Sequence, residues 1–443
     1  MSYKFTKEEL EELLVDYNKI TIREQGIELP SQVCIWDETL RDGEQSPTVY
    51  LTLDEKIHLA KLMDEIGVKL IAVGFPAVSK SEKKIVKTIV DENFNHTTIL
   101  GIARPKKEDI DACIESNLKE IVIFMPISPI FRKTMKQKPE EQLRMIKDAI
   151  HYAIDNGFKV NWVSEDGTRC DFEHLADVFN AAIEAGAERI VLGDTVGILT
   201  PISTSHLYKR IKNEIINPLE KKIPMGIHTH NDFGLAVANT ITGVLEGCTY
   251  PHTCINGYGE RAGNAALEEV ATNLERMGIN TGIDLTKLPE ISKVCEKYFN
   301  QPLALNKAIV GKHAFSHESG LHIAAILAHP LTYEPINPHT VGRRRKFYLG
   351  KFSGSKSVLH AIQNKIKVLD LDIPEDIIKK IVSEVKRVHE ETSKKELRKS
   401  FNTIKEELNK ISKGVGDKQF FEIVNKYAQP YVSDDFKPKN EKS

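Results

Sequence analysis

Met225-Gly226-Ile227-His228-Thr229-His230-Asn231-Asp232-Phe233-Gly234 reads as the end of a β-strand running into a turn and then a helix. The run up to Ile227 is apolar, and a helical period takes over after Gly234. Residues two apart on a strand face the same way, so His228 and His230 can converge on one metal ion. Imidazole suits zinc and other first-row divalent ions, and a carboxylate in the same site favours the harder ones. A His-x-His alone is more often structural. Its place at a strand end favours ligation here, as does the matching Arg-Asp in Trp36-Asp37-Glu38-Thr39-Leu40-Arg41-Asp42-Gly43-Glu44-Gln45.

Outward from that stretch the same unit repeats about every 30 residues: a short apolar run, a polar turn, an amphipathic helix. The apolar runs fall at 33–36, 70–75, 98–103, 121–126, 160–163, 190–193, 225–228 and 253–256. Helical segments between them include 53–66, 140–156, 172–185 and 235–247. Eight strand-helix units in series predict a TIM (β/α)8 barrel, an α/β fold whose functional groups gather where strands end. Arg41 and Asp42 follow the first strand, Arg104 the third and Arg132 the fourth. Glu165 and Asp166 follow the fifth, Asp194 and Thr195 the sixth, and Asn256, Glu260, Arg261 and Asn264 the eighth. Any single acid in such a place reads as readily as a helix N-cap; the set reads as a site.

The spacing divides the chain into a helical extension (1–29, with a helix over 7–17), a catalytic barrel (30–280) and a post-barrel subdomain (281–365). C-terminal helices follow (366–430, with helices over 378–390, 396–410 and 419–427), then a polar tail (431–443) expected to be disordered. With 61 basic and 63 acidic residues among 443, net charge points to neither nucleic acid nor a membrane. The six scattered cysteines lack a Cys-x-x-Cys and read as reduced and mostly buried. A charged N-terminus and the absence of a membrane-length apolar run complete the expectation of a soluble cytoplasmic protein. The cluster Arg343-Arg344-Arg345-Lys346 reads either as a solvated turn or as a phosphate contact for a nucleotide-bearing ligand. Glycines 257, 259 and 263 are wrongly spaced for a dinucleotide fingerprint and read better as a turn allowing close backbone approach to a ligand.

Three motifs now carry a resemblance: Leu40 to Gln45, His228 to Gly234, and Asn256-Gly257-Tyr258-Gly259-Glu260-Arg261-Ala262-Gly263-Asn264. They resemble the acyl-CoA-condensing branch of the metallolyase barrels, which holds 2-isopropylmalate, homocitrate, citramalate and Re-face citrate synthases. Phe315-Ser316-His317-Glu318-Ser319-Gly320-Leu321-His322, Thr332-Tyr333-Glu334 and Leu349 to Gly354 resemble its post-barrel region. The resemblance implies a Claisen condensation of acetyl-CoA with a 2-oxo acid. It implies Asp42, His228 and His230 as ligands of a divalent metal, Mn²⁺ in the first place, with Co²⁺, Mg²⁺ or Zn²⁺ as alternatives. It puts Arg41 at the ketone oxygen, Thr195 at the C1 carboxylate, Gln45 in the substrate site and Glu165 in support of the chemistry. It assigns His322 and Tyr333 to the proton-transfer step, supplied by the partner subunit of a homodimer or larger homo-oligomer.

Departures from the relatives narrow the acceptor. Ala72 and Val122 stand where 2-isopropylmalate synthases usually have Glu and His, and no strand-rich regulatory domain follows. Asn161 and Val163 replace the Arg-x-Ser with which homocitrate synthases grip the distal carboxylate of 2-oxoglutarate. Arg104 and Arg132 remain as rim cations for a shorter dicarboxylate. The leading expectation is therefore oxaloacetate and a citrate (Re)-synthase, followed by homocitrate synthase and then 2-isopropylmalate or citramalate synthase. The related acyl-CoA lyases use a cysteine loop after the eighth strand, which 257–264 lacks.

Overall fold

The computed structural model describes residues 5–365, 373–391, 394–411 and 415–428. Strands β1 (Trp36–Asp37), β2 (Leu70–Gly74), β3 (Thr98–Ala103), β4 (Glu120–Pro126), β5 (Lys159–Glu165), β6 (Arg189–Asp194), β7 (Met225–Thr229) and β8 (Tyr250–Thr253) close a barrel in sequence order. Every pairing is parallel, and β1 closes on β8. The expected TIM barrel is thus observed.

Both faces of such strands are buried, which is why they read as near-continuous apolar runs. On β4, Ile121, Ile123 and Met125 pack against the surrounding helices, while Val122 joins Trp36, Leu70, Ala72, Leu100, Ile102 and Val191 inside the barrel. The barrel's foot is polar. Arg189 pairs with Glu120, donates to Asn161 Oδ1 at 2.7 Å and lies over the Tyr250 ring at 4.5 Å. Asn161 is therefore committed to the foot, and of the 161/163 pair only Val163 faces the upper cavity.

Helix Leu53–Ile66 shows how local sequence fixes an element. Thr52 and Glu55 form a capping box at its start. Gly67 ends it at φ +99°, where an added Cβ would meet the Gly282 carbonyl oxygen at 2.1 Å. The same helix buries Lys56, whose Nζ reaches Glu44 (2.6 Å) and Glu82 (3.2 Å). That pins the Gly43–Gln45 turn beside Asp42, and Ser46 pins it again by donating to the Gly259 carbonyl at 2.9 Å.

Three expectations shift. The first strand occupies Trp36–Asp37 rather than 33–36. The last strand occupies Tyr250–Thr253 rather than 253–256, because Asn256 adopts φ +63° and cannot continue an extended strand. The N-terminal helix breaks into Lys7–Leu13 and Tyr17–Glu24, since Asp16 caps the second by accepting from Asn18 and Lys19 N–H.

Beyond the barrel come helix Leu288–Phe299, a small parallel sheet of β9 (Ser316–His317) and β10 (Lys346–Phe347), and helices Gly320–Ala328 and Ser355–Lys365. Helices Glu375–Glu391, Lys394–Ile411 and Asp417–Ala428 form the C-terminal region. The tail 431–443, expected to be disordered, lies outside the described residues. The cysteines are all free, and no described helix is long and apolar enough to cross a membrane.

Candidate active site

His228 lies in β7 and His230 just past its end, where His230 bridges to Asn264. Their Nε2 atoms are 3.2 Å apart, and Asp42 Oδ2 lies 3.4 Å from the first and 3.6 Å from the second. The centre of such a triangle is about 2 Å from each corner, the distance at which imidazole and carboxylate bind first-row ions. Asn264 Nδ2 donates to Asp42 Oδ2 at 2.7 Å. Asn264 Oδ1 and His230 Nδ1 are buried with no partner.

The electrostatics suit ligation. Against its own burial, Asp42 is held well below the usual carboxylate range by Arg41 and the two imidazoles. Burial, with His228 beside it, pushes His230 down to about 3, so its lone pair is free. These residues fit a divalent ion.

Glu38, His228 and His252 form a second group of three potential donors. It fits an ion less well, because Glu38 Oε2 already accepts from Arg41 Nε at 2.7 Å. That guanidinium and the histidine hold Glu38 down at about 2 in spite of its burial. His252 Nδ1 lies 3.3 Å from Glu38 Oε1 but out of hydrogen-bond alignment, and burial takes its pKa to about 4.

Above the triad opens a cavity of about 320 Å³. Arg41, Asp42, Gln45, Glu165, Thr195, His228 and His230 all line it, as the sequence led us to expect. Thr195 Oγ1 accepts from Asp166 N–H at 2.8 Å, which leaves its own proton free to donate. Burial raises the pKa of Glu165, a shift that nearby Arg41 opposes. One wall is apolar: Phe75, Ile102, Val122, Phe124 and Val163. Arg261, also lining, grips Asp232 through Nε (2.8 Å) and Nη2 (2.9 Å).

Four expected site residues are not brought here. Arg104 forms a bidentate pair with Asp109 (2.6 and 2.9 Å). Arg132, on helix Pro129–Met135, donates to the Ile127 carbonyl at 2.9 Å and lies 3.6 Å from Asp171. Neither lines the cavity, so the rim cations expected for a second carboxylate are tied into their own neighbouring helices. His322 and Tyr333 stack on each other in the post-barrel segment, ring centres 3.9 Å apart, over a turn that Arg345 fixes by a bidentate pair with Glu334.

The basic cluster divides by alternating exposure. Arg343 and Arg345 turn inward to Gly311 O and Glu334, while Arg344 and Lys346 are exposed, with no acidic partner among the described residues. The loop glycines let the chain approach itself rather than a ligand: a Cβ on Gly263 would meet Gly257 O at 2.0 Å, and one on Gly259 would meet Asn264 Oδ1 at 1.8 Å. They therefore place the Asn264 side chain against Asp42. Sequence reasoning missed Glu38, although it sits inside the quoted motif. It also missed His252 and the apolar wall, whose residues carry no signal distinguishing them from core.

Residues 32–295 match the HMGL-like family, and 309–393 match the homocitrate synthase post-HMGL domain-like family. The chain belongs to the HMGL-like family, in its acetyl-CoA-condensing branch. Among its relatives is a 2-isopropylmalate synthase of Methanocaldococcus jannaschii, 44% identical over 82% of this chain and 69% of that protein. A homocitrate synthase of Methanopyrus kandleri is 40% identical over 84% and 90%. An (R)-citramalate synthase of M. jannaschii is 40% identical over 80% and 70%. The names differ while the identities lie close together, so overall similarity does not select an acceptor for this HMGL-like chain. The HMG-CoA lyase of Bacillus subtilis superposes with a TM-score of 0.56 at 23% identity, covering 62% of this chain and 96% of the lyase, a likeness of fold.

Proposed function

We propose that this protein condenses acetyl-CoA with a 2-oxo acid whose side chain is short, aliphatic and uncharged. The observation that carries the reading is the pairing of a metal-competent triad with an apolar wall in one cavity, where both cations, Arg41 and Arg261, are already matched by carboxylates. A carboxylate pushed against Phe75, Ile102, Val122, Phe124 and Val163 would lose its hydration and gain no partner, which is costly. Oxaloacetate, the acceptor expected from sequence, needed Arg104 or Arg132 to offset that cost, and both are engaged elsewhere.

In this reading Asp42, His228 and His230 hold a divalent ion, which when bound supplies Lewis acidity to the acceptor's ketone. Arg41 faces the ketone oxygen, where negative charge grows as the acetyl carbon adds. Thr195, its oxygen already accepting from Asp166, donates its proton to the C1 carboxylate. Glu165, its pKa raised by burial against the pull of Arg41, supports the chemistry from the same cavity. A base removes one methyl proton of acetyl-CoA, the carbon–carbon bond forms at the keto carbon, and water then cleaves the thioester to free CoA.

A panel of 2-oxo acids assayed with acetyl-CoA, following free CoA, tests the acceptor. Pyruvate, 2-oxobutyrate or 2-oxoisovalerate should exceed oxaloacetate and 2-oxoglutarate in kcat/KM by about tenfold or more, the worth of one charged hydrogen bond. A preference for either dicarboxylate would overturn the aliphatic assignment.

The exposed pair Arg344 and Lys346, with exposed Tyr348 just past β10, is our candidate contact for the phosphates of CoA. Reversing both charges (Arg344→Glu with Lys346→Glu) should raise KM for acetyl-CoA about tenfold and leave KM for the 2-oxo acid alone. Unchanged KM for acetyl-CoA would return the pair to the status of a solvated turn.

A further inference from the structure

We propose that Glu38 is a positioning and specificity residue: it takes Arg41's Nε and its charge, leaving the outer guanidinium edge for the ketone oxygen and no cation for a second carboxylate. The inference rests on the reading above. Its geometry stands on its own.

Glu38 is buried, with 1% of its surface exposed, directly after β1. Its Oε2 accepts from Arg41 Nε at 2.7 Å, and Arg41 Nη1 lies 3.6 Å from Asp42 Oδ1. The planar guanidinium is thus tethered on one edge, which fixes the direction of the other as a lysine ammonium could not be fixed. Behind Glu38 stands His252, 3% exposed. It stacks on Trp36 at 4.1 Å and meets the His228 ring edge to face at 5.4 Å. Packed between those rings, His252 sets its Nδ1 3.3 Å from Glu38 Oε1, so the acid stands between this ring and Arg41 Nε.

Without Glu38 the guanidinium could swing onto Asp42, competing for a metal ligand, or onto an anionic group of the acceptor. With it, the cavity's two cations are both neutralised within the protein, since Arg261 is held by Asp232. One buried acid then serves two ends: it aims the donor at the developing charge, and it denies dicarboxylic acceptors a counter-ion.

The test uses the full-length, metal-loaded enzyme and compares Glu38→Gln with Glu38→Ala. Kinetics are read with 2-oxoisovalerate and with oxaloacetate, beside metal content and Tm. Glu38→Gln keeps an oxygen for Arg41 Nε and removes the charge. It should keep kcat for 2-oxoisovalerate within about tenfold while raising oxaloacetate's kcat/KM relative to 2-oxoisovalerate about tenfold. Glu38→Ala also releases the guanidinium. It should lower kcat about a hundredfold, the scale for one misplaced oxyanion donor, with metal content and KM for acetyl-CoA unchanged. If Glu38→Ala does not fold, Glu38→Gln and the milder His252→Gln carry the test, and the same shift in acceptor ratio is expected of both. Wild-type kcat and acceptor ratio in these variants would overturn the proposal, as would an equal loss for all acceptors together with loss of metal. If the wild type itself prefers a dicarboxylate, the previous reading fails, and the kcat split with that acceptor still decides whether Glu38 positions Arg41.

Discussion

Exhaustive chelation should reduce turnover by about a thousandfold, and Mn²⁺, Co²⁺ or Mg²⁺ should restore it. Polarising a ketone and stabilising the oxygen charge that follows is worth several kcal/mol, and each 1.4 kcal/mol is a factor of ten in rate. No other group in the cavity can replace that contribution, since Arg41 is aligned by Glu38 and Arg261 by Asp232. His228→Ala should cost as much as chelation and should not be rescued by added metal. Asn264→Ala should be milder, because it removes the hydrogen bond that orients Asp42 but leaves all three donors. The pH dependence has a definite sign. His230 and His252 are held neutral in the fold, down to about 3 and about 4, whereas in the unfolded chain they protonate near 6.5. The stability that depends on their neutrality is complete above about pH 6.5 and is lost as pH falls toward the folded values, whereas proton competition for metal at His230 should set in only near its folded value of about 3. Metal analysis and activity measured on the same samples decide the matter. Full turnover with no metal detectable would remove the triad from the mechanism.

The barrel was legible because period and length agree: eight apolar runs, each bounded by a turn and followed by a helical pattern, leave little room for another topology. β3 was read to the residue, since Thr98 follows a polar stretch and Arg104 ends the run. β8 was misplaced because Pro251, His252 and the aromatic Tyr250 look unlike a buried strand, while Cys254 and Ile255 look like one. The triad was legible because ligand chemistry restricts residue type. The apolar wall was not, since Val122 and Val163 differ from their outward neighbours Ile121 and Trp162 only in which way one strand residue faces. Arg104 and Arg132 looked like rim cations because sequence places them after strand ends. It does not tell that Asp109, five residues on, claims the first.

His322→Ala and Tyr333→Phe should each lower kcat by about a hundred- to ten-thousandfold, the range for loss of positioned acid–base catalysis, although neither residue lines the barrel cavity. Among the residues that do line it, the histidines are His228, His230 and His252. In our reading the first two would hold the metal, and the third is packed between Trp36 and His228. The remaining lining acids are Glu165, near Arg41 and with its pKa raised by burial, and Glu260, near Arg261. A cavity so furnished can polarise a ketone, but its best base for a thioester methyl group is a carboxylate already facing a guanidinium. The stacked pair His322 and Tyr333, held by the Arg345–Glu334 clamp, offers a better one if it is delivered from a second copy of the chain. A two-fold dimer in which each subunit covers the other's cavity is the economical arrangement, because one self-complementary interface completes two sites. Co-expressed His322→Ala and Asp42→Ala chains should then recover about a quarter of wild-type activity, since random pairing makes about half of the dimers heterodimers and each heterodimer carries one site with both lesions and one with neither. Each mutant alone should be inactive. Purified heterodimers with no activity would show that the two residues serve the cavity of their own chain. An active His322→Ala homodimer would transfer the proton-abstracting role to Glu165, and Glu165→Gln would then be the variant that abolishes exchange of the acetyl methyl protons.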